Sequence, residues 1–295
     1  MYINNNSMAS NVANNLTSHY SDLKTSTQRL STGLRVNSAA DDAAGLAIRE
    51  LMRTDIKALQ QGVRNANDAI SLIQTADGAL GVIDEKLTRM KELAEQASTG
   101  TYDSTQRLMI ESEYQAMASE ITRIANATDF NGIHLLDGNL SGDSHVGNTM
   151  TSTGKMKIHF GTANDSAEDY YYIQIGTSTA SALGVGNETT AGRDGATIST
   201  QEAAQKALVA ITNAVVSKDK IRAHLGALQN RLENTVSNLT TQAENLQAAE
   251  SRISDVDVAT EMTKFVRNQI LTQSSVAMLS QANSMPKMAM QLIQG

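Results

Sequence analysis

The run LGALQNRLENTVSNLTTQAENLQAAESRI, Leu225 to Ile253, carries Leu225, Leu232, Leu239, Leu246 and Ile253 at seven-residue steps, with Ile221, Leu228 and Ala249 alongside. Apolar residues every seven positions line one narrow stripe of a helix wound against a partner. Such a stripe covers about two residues in seven, so the helix cannot bury it alone. The fold therefore has to supply long helices that run beside this one.

Upstream, Leu59, Ala66, Ile73, Leu80, Leu87 and Ala94 repeat the interval, with Ile56, Val63 and Ile70 beside them. Ser38, with Asp41 three residues on, is the expected cap at the start of that helix. Gly100 and Asp103 break it, and Ser104 to Ala127 reads as a shorter third helix ending in the turn Asp129-Phe130-Asn131-Gly132. Closer to the start, Leu16, Leu23 and Leu30 keep the spacing, with Tyr20, Thr27 and Leu34 as companions and Gly33 loosening the end. At the other end Leu271, Met278, Met285 and Leu292 do the same, although Pro286 lacks an N–H and should bend the last turns. Only the middle differs: Gly, Ser, Thr, Asn and Asp surround two β-prone runs, Lys155 to Phe160 and Tyr170 to Ile175, which read as a hairpin.

The expected fold is mainly α, with long heptad-bearing helices from both termini packed as a coiled coil or bundle and a small β-hairpin region in the middle. Three parts are expected. Residues 1–37 with 256–295 form a terminal coiled coil, 38–176 with 199–255 an inner helical domain including the hairpin, and 177–198 an exposed loop. Leu59, Ile73, Leu80, Leu87, Leu225, Leu232, Leu239, Leu246 and Ile253 are the expected inner core. Leu16, Leu23, Leu30, Leu271, Met278, Met285 and Leu292 are the expected seams of the terminal pair. Few apolar residues hold that pair, and short isolated helices are marginal in water, so it should become fully ordered only when copies pack together. The heptads alone fit an ordinary intramolecular bundle equally well.

Composition supports helix: 40% of the 295 residues are hydrophobic but only 3% aromatic, with one Pro and no Trp. The formal net charge is −7 and the basic residues are scattered, which argues against nucleic acid as a partner. There is no Cys, hence no disulfide framework and no thiolate chemistry. No run approaches the ~18 apolar residues of a membrane span, and Met1 to Asn15 shows no basic-then-apolar signal segment. No membrane partner is expected, and a secreted chain would leave by another route.

Catalytic chemistry finds little footing. His19, His134, His145, His159 and His224 lack the i, i+4 spacing of a helical zinc site, no phosphate-binding loop motif occurs, and Gly184-Val185-Gly186 reads as loop. Asp41-Asp42 fits a helix's positive end better than an acid–base pair. No catalytic residue, metal site or cofactor is expected. Met278, Met285, Met288 and Met290 suit flexible packing or a partner groove. Asn187-Glu188-Thr189 is an unremarkable triplet in so Asn-rich a chain, and Thr177 to Thr200 offers exposed Ser and Thr that could carry O-linked sugars.

The run Arg29-Leu30-Ser31-Thr32-Gly33-Leu34-Arg35-Val36-Asn37-Ser38-Ala39-Ala40-Asp41-Asp42-Ala43-Ala44-Gly45 resembles the N-terminal signature of bacterial flagellins. Arg64-Asn65-Ala66-Asn67-Asp68, Leu93-Ala94, Phe130-Asn131-Gly132, Leu225 to Leu232, and Ala248 to Ile253 with Asp255 and Asp257 are similar family-like blocks. Ala40 stands where the family commonly has Lys, and Tyr2 is unusual at the start. Hook–filament junction proteins resemble flagellins at the termini and are the related alternative, with a non-polymerising coiled-coil adaptor beyond them. The resemblance implies a non-enzymatic subunit that assembles with copies of itself into an extracellular filament for swimming. It implies terminal helices lining a central channel and an outer wall built by the inner domain. It also implies type III export with a chaperone on the C-terminal helix, growth beneath a filament cap, and junction proteins as neighbours. In flagellins recognised by the vertebrate innate receptor TLR5, the matching positions here are Arg89, Leu93, Gln96 and Glu113, with Glu95 where the family is commonly apolar. On the residues alone, the favoured reading is that Leu93 packs within the bundle or between subunits while Arg89 is solvated.

Overall fold

The computed structural model describes residues 6–145, 154–166, 168–186 and 195–294, leaving aside the side chains of 289, 290 and 292–294. In chain order the elements are α1 (Ser7–Thr32), α2 (Ala43–Ser98), α3 (Ser104–Ala127), β1 (Asp129–Phe130), β2 (Ile133–His134), β3 (Met156–His159), β4 (Tyr170–Ile173), α4 (Gln201–Ser254) and α5 (Val258–Gln294). At ~1.5 Å per residue α2 is about 84 Å long. The chain divides into two compact units, one of residues 1–56 with 244–295, the other of 57–243. Those limits fall further along both long helices than the expected breaks near 37 and 255. Leu246 and Ile253, expected in the inner core, consequently belong to the terminal unit, where each is half-buried.

In the larger unit the apolar faces of α2, α3 and α4 enclose one core. Leu59, Ile73, Leu80 and Leu87 of α2 and Leu225, Leu232 and Leu239 of α4 are all buried. Two ion pairs fix the direction of the helices: Arg222 meets Asp77 and Lys218 meets Asp84, so α4 runs antiparallel to α2. The helix α3 starts from Asp103 with a full capping box, Gln106 returning a bond to the Asp103 amide. Past its end, Asn131 (φ 53°) and Gly132 (φ 80°) make the tight turn between β1 and β2.

The expected hairpin forms as β3 and β4, antiparallel, with Met156 opposite Ile173 and His159 opposite Tyr170. Its inner side packs Met156, Ile158, Tyr171 and Ile173 on the helices. Asn65 donates to the His159 carbonyl (2.8 Å), and the next residue, Phe160, lies so close to Gly62 that no side chain would fit there.

The segment after Thr177 departs from the expected exposed loop. Among its described residues Ser178, Ala180, Leu183, Val185 and Ile198 are buried. The reason lies in α3: the Tyr114 hydroxyl donates to the Gly195 carbonyl (2.7 Å), Gln115 to the Ala196 carbonyl (2.7 Å), and the Ile198 amide donates to Glu111 (2.5 Å). Backbone groups that would otherwise need water are satisfied by one helix face, which lets the apolar side chains turn inward. Asn187-Glu188-Thr189 lies outside the described residues.

Candidate assembly interface

The terminal unit is built on α1 and α5. Asn6 meets Ala282, Ser26 meets Glu261 and Leu34 bridges to Asp255, so the two helices run antiparallel. On α1 the positions Ala9, Val12, Leu16, His19, Leu23, Ser26 and Leu30, three and four apart, are half-buried or buried. On α5 the corresponding row is Glu261, Phe265, Asn268, Thr272, Ser275, Leu279 and Ala282. Leu16, Leu23 and Leu30 thus sit on the paired face, but their companions are His19 and Ser26; Tyr20 and Thr27 face solvent.

The α5 seam needs a larger correction. Leu271 and Met278 flank the pairing row and are 38% and 53% exposed, while Met285 is half-buried. The Leu292 side chain lies outside the described residues. The face turned to α1 is instead small and polar, with Thr272 and Ser275 buried and Glu261 buried against the Ser26 hydroxyl (2.7 Å). Opposite it runs an apolar stripe, Met262, Val266 and Ile270, one helical turn apart, with Ile270 58% exposed. An apolar stripe on a helix normally faces a core, and here it has no cover.

The segment joining α1 to α2 explains the signature run residue by residue. Gly33 takes the left-handed conformation (φ 73°) that ends α1, its N–H bonding to the Arg29 carbonyl. Arg35 donates its guanidinium to the Ile253 carbonyl (2.7 Å) and its amide to the Ser254 carbonyl (2.6 Å), while the Val256 amide returns a bond to Gly33 (3.0 Å). Val36 is buried, and the buried Arg49 donates to its carbonyl (2.8 Å). The expected cap Ser38 does not start α2. Its amide and hydroxyl donate to Asp41 in a turn, and Asp42, accepting from the Gly45 amide (2.9 Å), is the cap. Bonds from Ser38 and the Asn37 amide hold the Asp41 carboxyl below the usual carboxylate range. Asp257 starts α5 in the same way, its carboxyl lowered by bonds from Thr260 and Ala259. The two distant signature blocks, 29–45 and 251–257, are therefore one structural joint. Sequence reasoning singled out both blocks but did not pair them, because the bonds that link them, from Arg35 to Ile253 and Ser254, from Val256 to Gly33 and between Leu34 and Asp255, involve mainly backbone groups and leave no periodic pattern.

On the other unit, Arg89 forms ion pairs with Glu92 (2.9 Å) and Glu113 (2.8 Å), and these raise its already high pKa. Gln96 donates to the Tyr102 hydroxyl (3.0 Å). Leu93 is not on that surface. It is 2% exposed and packs in the core beneath it. Among the described residues no group of three His, Asp or Glu could hold a metal ion, and no helix is long and apolar enough to cross a membrane.

Known proteins resemble the chain at both ends. Residues 3–141 match the bacterial flagellin N-terminal helical region and 208–293 the bacterial flagellin C-terminal helical region. The flagellar filament core protein flaB2 of Brachyspira hyodysenteriae is 40% identical over 294 residues, covering 100% of both chains. The flagellin of Bacillus subtilis (strain 168) is 41% identical, covering 99% of this chain and 100% of its own. A solved flagellar hook-associated protein from Vibrio parahaemolyticus shares the fold at 12% identity, with a TM-score of 0.55 over 73% of this chain and 100% of that one. Both matched regions and full-length relatives lead to one conclusion: the chain belongs to the bacterial flagellin family.

Proposed function

We propose that this flagellin is a structural subunit of the flagellar filament that polymerises with copies of itself through its terminal unit. The observation that carries the reading is the uncovered stripe Met262, Val266 and Ile270 on a helix whose other side is already paired. Burying each such side chain is worth roughly 1.5–3 kcal/mol, and identical copies stacked in an open helical array supply the cover. Relatives named as filament core proteins support it. Replacing Val266 and Ile270 together by Asp should leave the larger unit folded and abolish filaments under the electron microscope. Filaments of normal diameter from that variant would overturn the reading.

The partners follow from the family. Before export, the exposed apolar α5 would be held by a chaperone; outside the cell, cap and junction proteins would meet the same terminal unit. The exposed polar surface of Arg89, Gln96 and Glu113 is the proposed TLR5 contact, and Leu93 supports it from below. Arg89→Ala should weaken receptor activation by soluble chain while leaving secretion unchanged; equal activation would remove that assignment.

A further inference from the structure

Pro286, the only proline of the chain, lies inside α5. Lacking an N–H, it cannot bond to the carbonyl four residues back, and its ring crowds that carbonyl. The group left without its helical donor belongs to Ala282, and it is turned against α1, where Ala282 is 5% exposed. A buried acceptor with no donor is strongly disfavoured. The donor comes from the far end of the chain: Asn6 Nδ2 bonds to the Ala282 carbonyl at 2.8 Å. The same amide uses its oxygen to cap α1, accepting from the Ala9 N–H at 3.1 Å.

We infer that Asn6 sets the register at the far end of the α1–α5 pair, by recognising the interior carbonyl of α5 that Pro286 leaves without its helical donor. The inference rests on the assembly reading and deepens it. At the end of the pair near residue 34 the Ser26–Glu261 bond and the Leu34–Asp255 bridge fix the alignment; farther along, the α5 side of the seam is small and polar, with Thr272 and Ser275 buried, and alignment at the far end falls to Asn6. Shifting α1 by one turn would put Asn6 opposite a carbonyl already bonded within the helix and leave that of Ala282 buried and unpaired. Pairing of the ends in the right register therefore also removes the weak point at Pro286. With the ends apart, the Ala282 carbonyl has only water to bond to, and α5 is free to bend there. In the paired state the helix continues to Gln294.

The chemistry gives a sharp set of variants of the full chain. Asn6→Asp keeps the cap oxygen but loses the donor, placing a carboxylate against a carbonyl. Pro286→Ala restores the helical N–H and makes the Asn6 donor unnecessary. Two readouts are taken: the critical concentration for polymerisation, and hydrogen-exchange protection of backbone amides 283–291. Asn6→Asp should raise the critical concentration by about ten-fold and expose those amides, and the double variant Asn6→Asp/Pro286→Ala should bring both most of the way back to the parent level, the carboxylate still facing the Ala282 oxygen. A double variant as defective as Asn6→Asp alone would overturn the inference, as would an Asn6→Asp chain indistinguishable from the parent. If the parent formed no filaments, the assembly reading would fall while exchange still decided the register role; absent protection in the parent would then overturn that too.

Discussion

The Ser26 hydroxyl donates to the Glu261 carboxylate at 2.7 Å, joining residues 235 positions apart where the last turns of α1 meet the first turn of α5. Burial pushes that carboxyl upward. The Ser26 bond, the Lys264 ammonium at 3.2 Å and the nearby Arg29 outweigh it and hold the group below its ordinary value. A lowered folded pKa means that the group stabilises the pair above the unfolded carboxylate value, about 4.3, and that this is lost as pH falls through the folded value.

Ser26→Ala should therefore move acid melting of the α1–α5 pair to higher pH, read as loss of helical circular dichroism. Glu261→Gln, which cannot ionise, should flatten the titration in the same window. An unchanged acid midpoint in Ser26→Ala would mean that Lys264 and Arg29 alone hold the charge.

The buried Lys218, 1% exposed, places its ammonium between Asp84 (2.5 Å) on α2 and Asp219 (2.7 Å) on its own helix. Either carboxylate can serve as partner, so Asp84→Ala should cost only about 1 kcal/mol. Asp84→Ala/Asp219→Ala strands a buried charge, and the expected cost is about 3–5 kcal/mol. Urea melts of the two single variants and the double give the coupling directly. Simple additivity would show that water reaches the ammonium.

Much of this was readable from residue spacing where a helix has one apolar face. The steps Leu59 to Leu87 and Leu225 to Leu239 led to buried residues because the opposite faces are polar and only one orientation hides the stripe. For α5 the same reasoning did not find the face turned to α1, because α5 carries apolar residues on more than one side. A seven-residue repeat there marks one stripe among several and says nothing about which one a partner takes. The stripe that faces α1 holds Asn268, Thr272 and Ser275, whose burial depends on partners far away in sequence. His19 and Ser26 were passed over for Tyr20 and Thr27 for a similar reason: three and four residues are both allowed heptad steps, and hydropathy favoured the wrong one. Ser38 and Asp42 both suit a cap, and the turn closed by Asp41 decides between them. The burial of Ser178, Ala180, Leu183, Val185 and Ile198 came from side chains of α3 that bond to backbone, for which no local pattern exists.

Gly62 offers a test of how tightly the hairpin is seated. A methyl group there would run into the Phe160 carbonyl oxygen, a backbone atom that cannot swing aside. Gly62→Ala raises intrinsic helix propensity by about 1 kcal/mol, yet it should lower the stability of the larger unit by about 1–3 kcal/mol, because the hairpin must shift off α2. Faster proteolysis near His159, where Asn65 holds the strand end, should accompany the loss. A more stable variant would show that the hairpin moves off α2 at no cost.

Tyr114 should leave its mark at alkaline pH. Its ring is fully buried, and its hydroxyl holds the Gly195 carbonyl at 2.7 Å. Burial first, and then the charge of Glu111, push the phenol well above its ordinary value. A group whose folded pKa is raised contributes its full stability below the unfolded value, about 10, and loses it as pH climbs toward the folded value. At neutral pH, Tyr114→Phe should cost about 1 kcal/mol, modestly because Gly195 still accepts from the Gly186 amide (3.3 Å). Above pH ~10 the parent must keep a phenol protonated against solvent while the variant has none to protonate. The gap in melting temperature should therefore narrow and then reverse as pH rises. A constant gap from neutral to alkaline pH would show that Tyr114 ionises as freely in the folded chain as in the unfolded one.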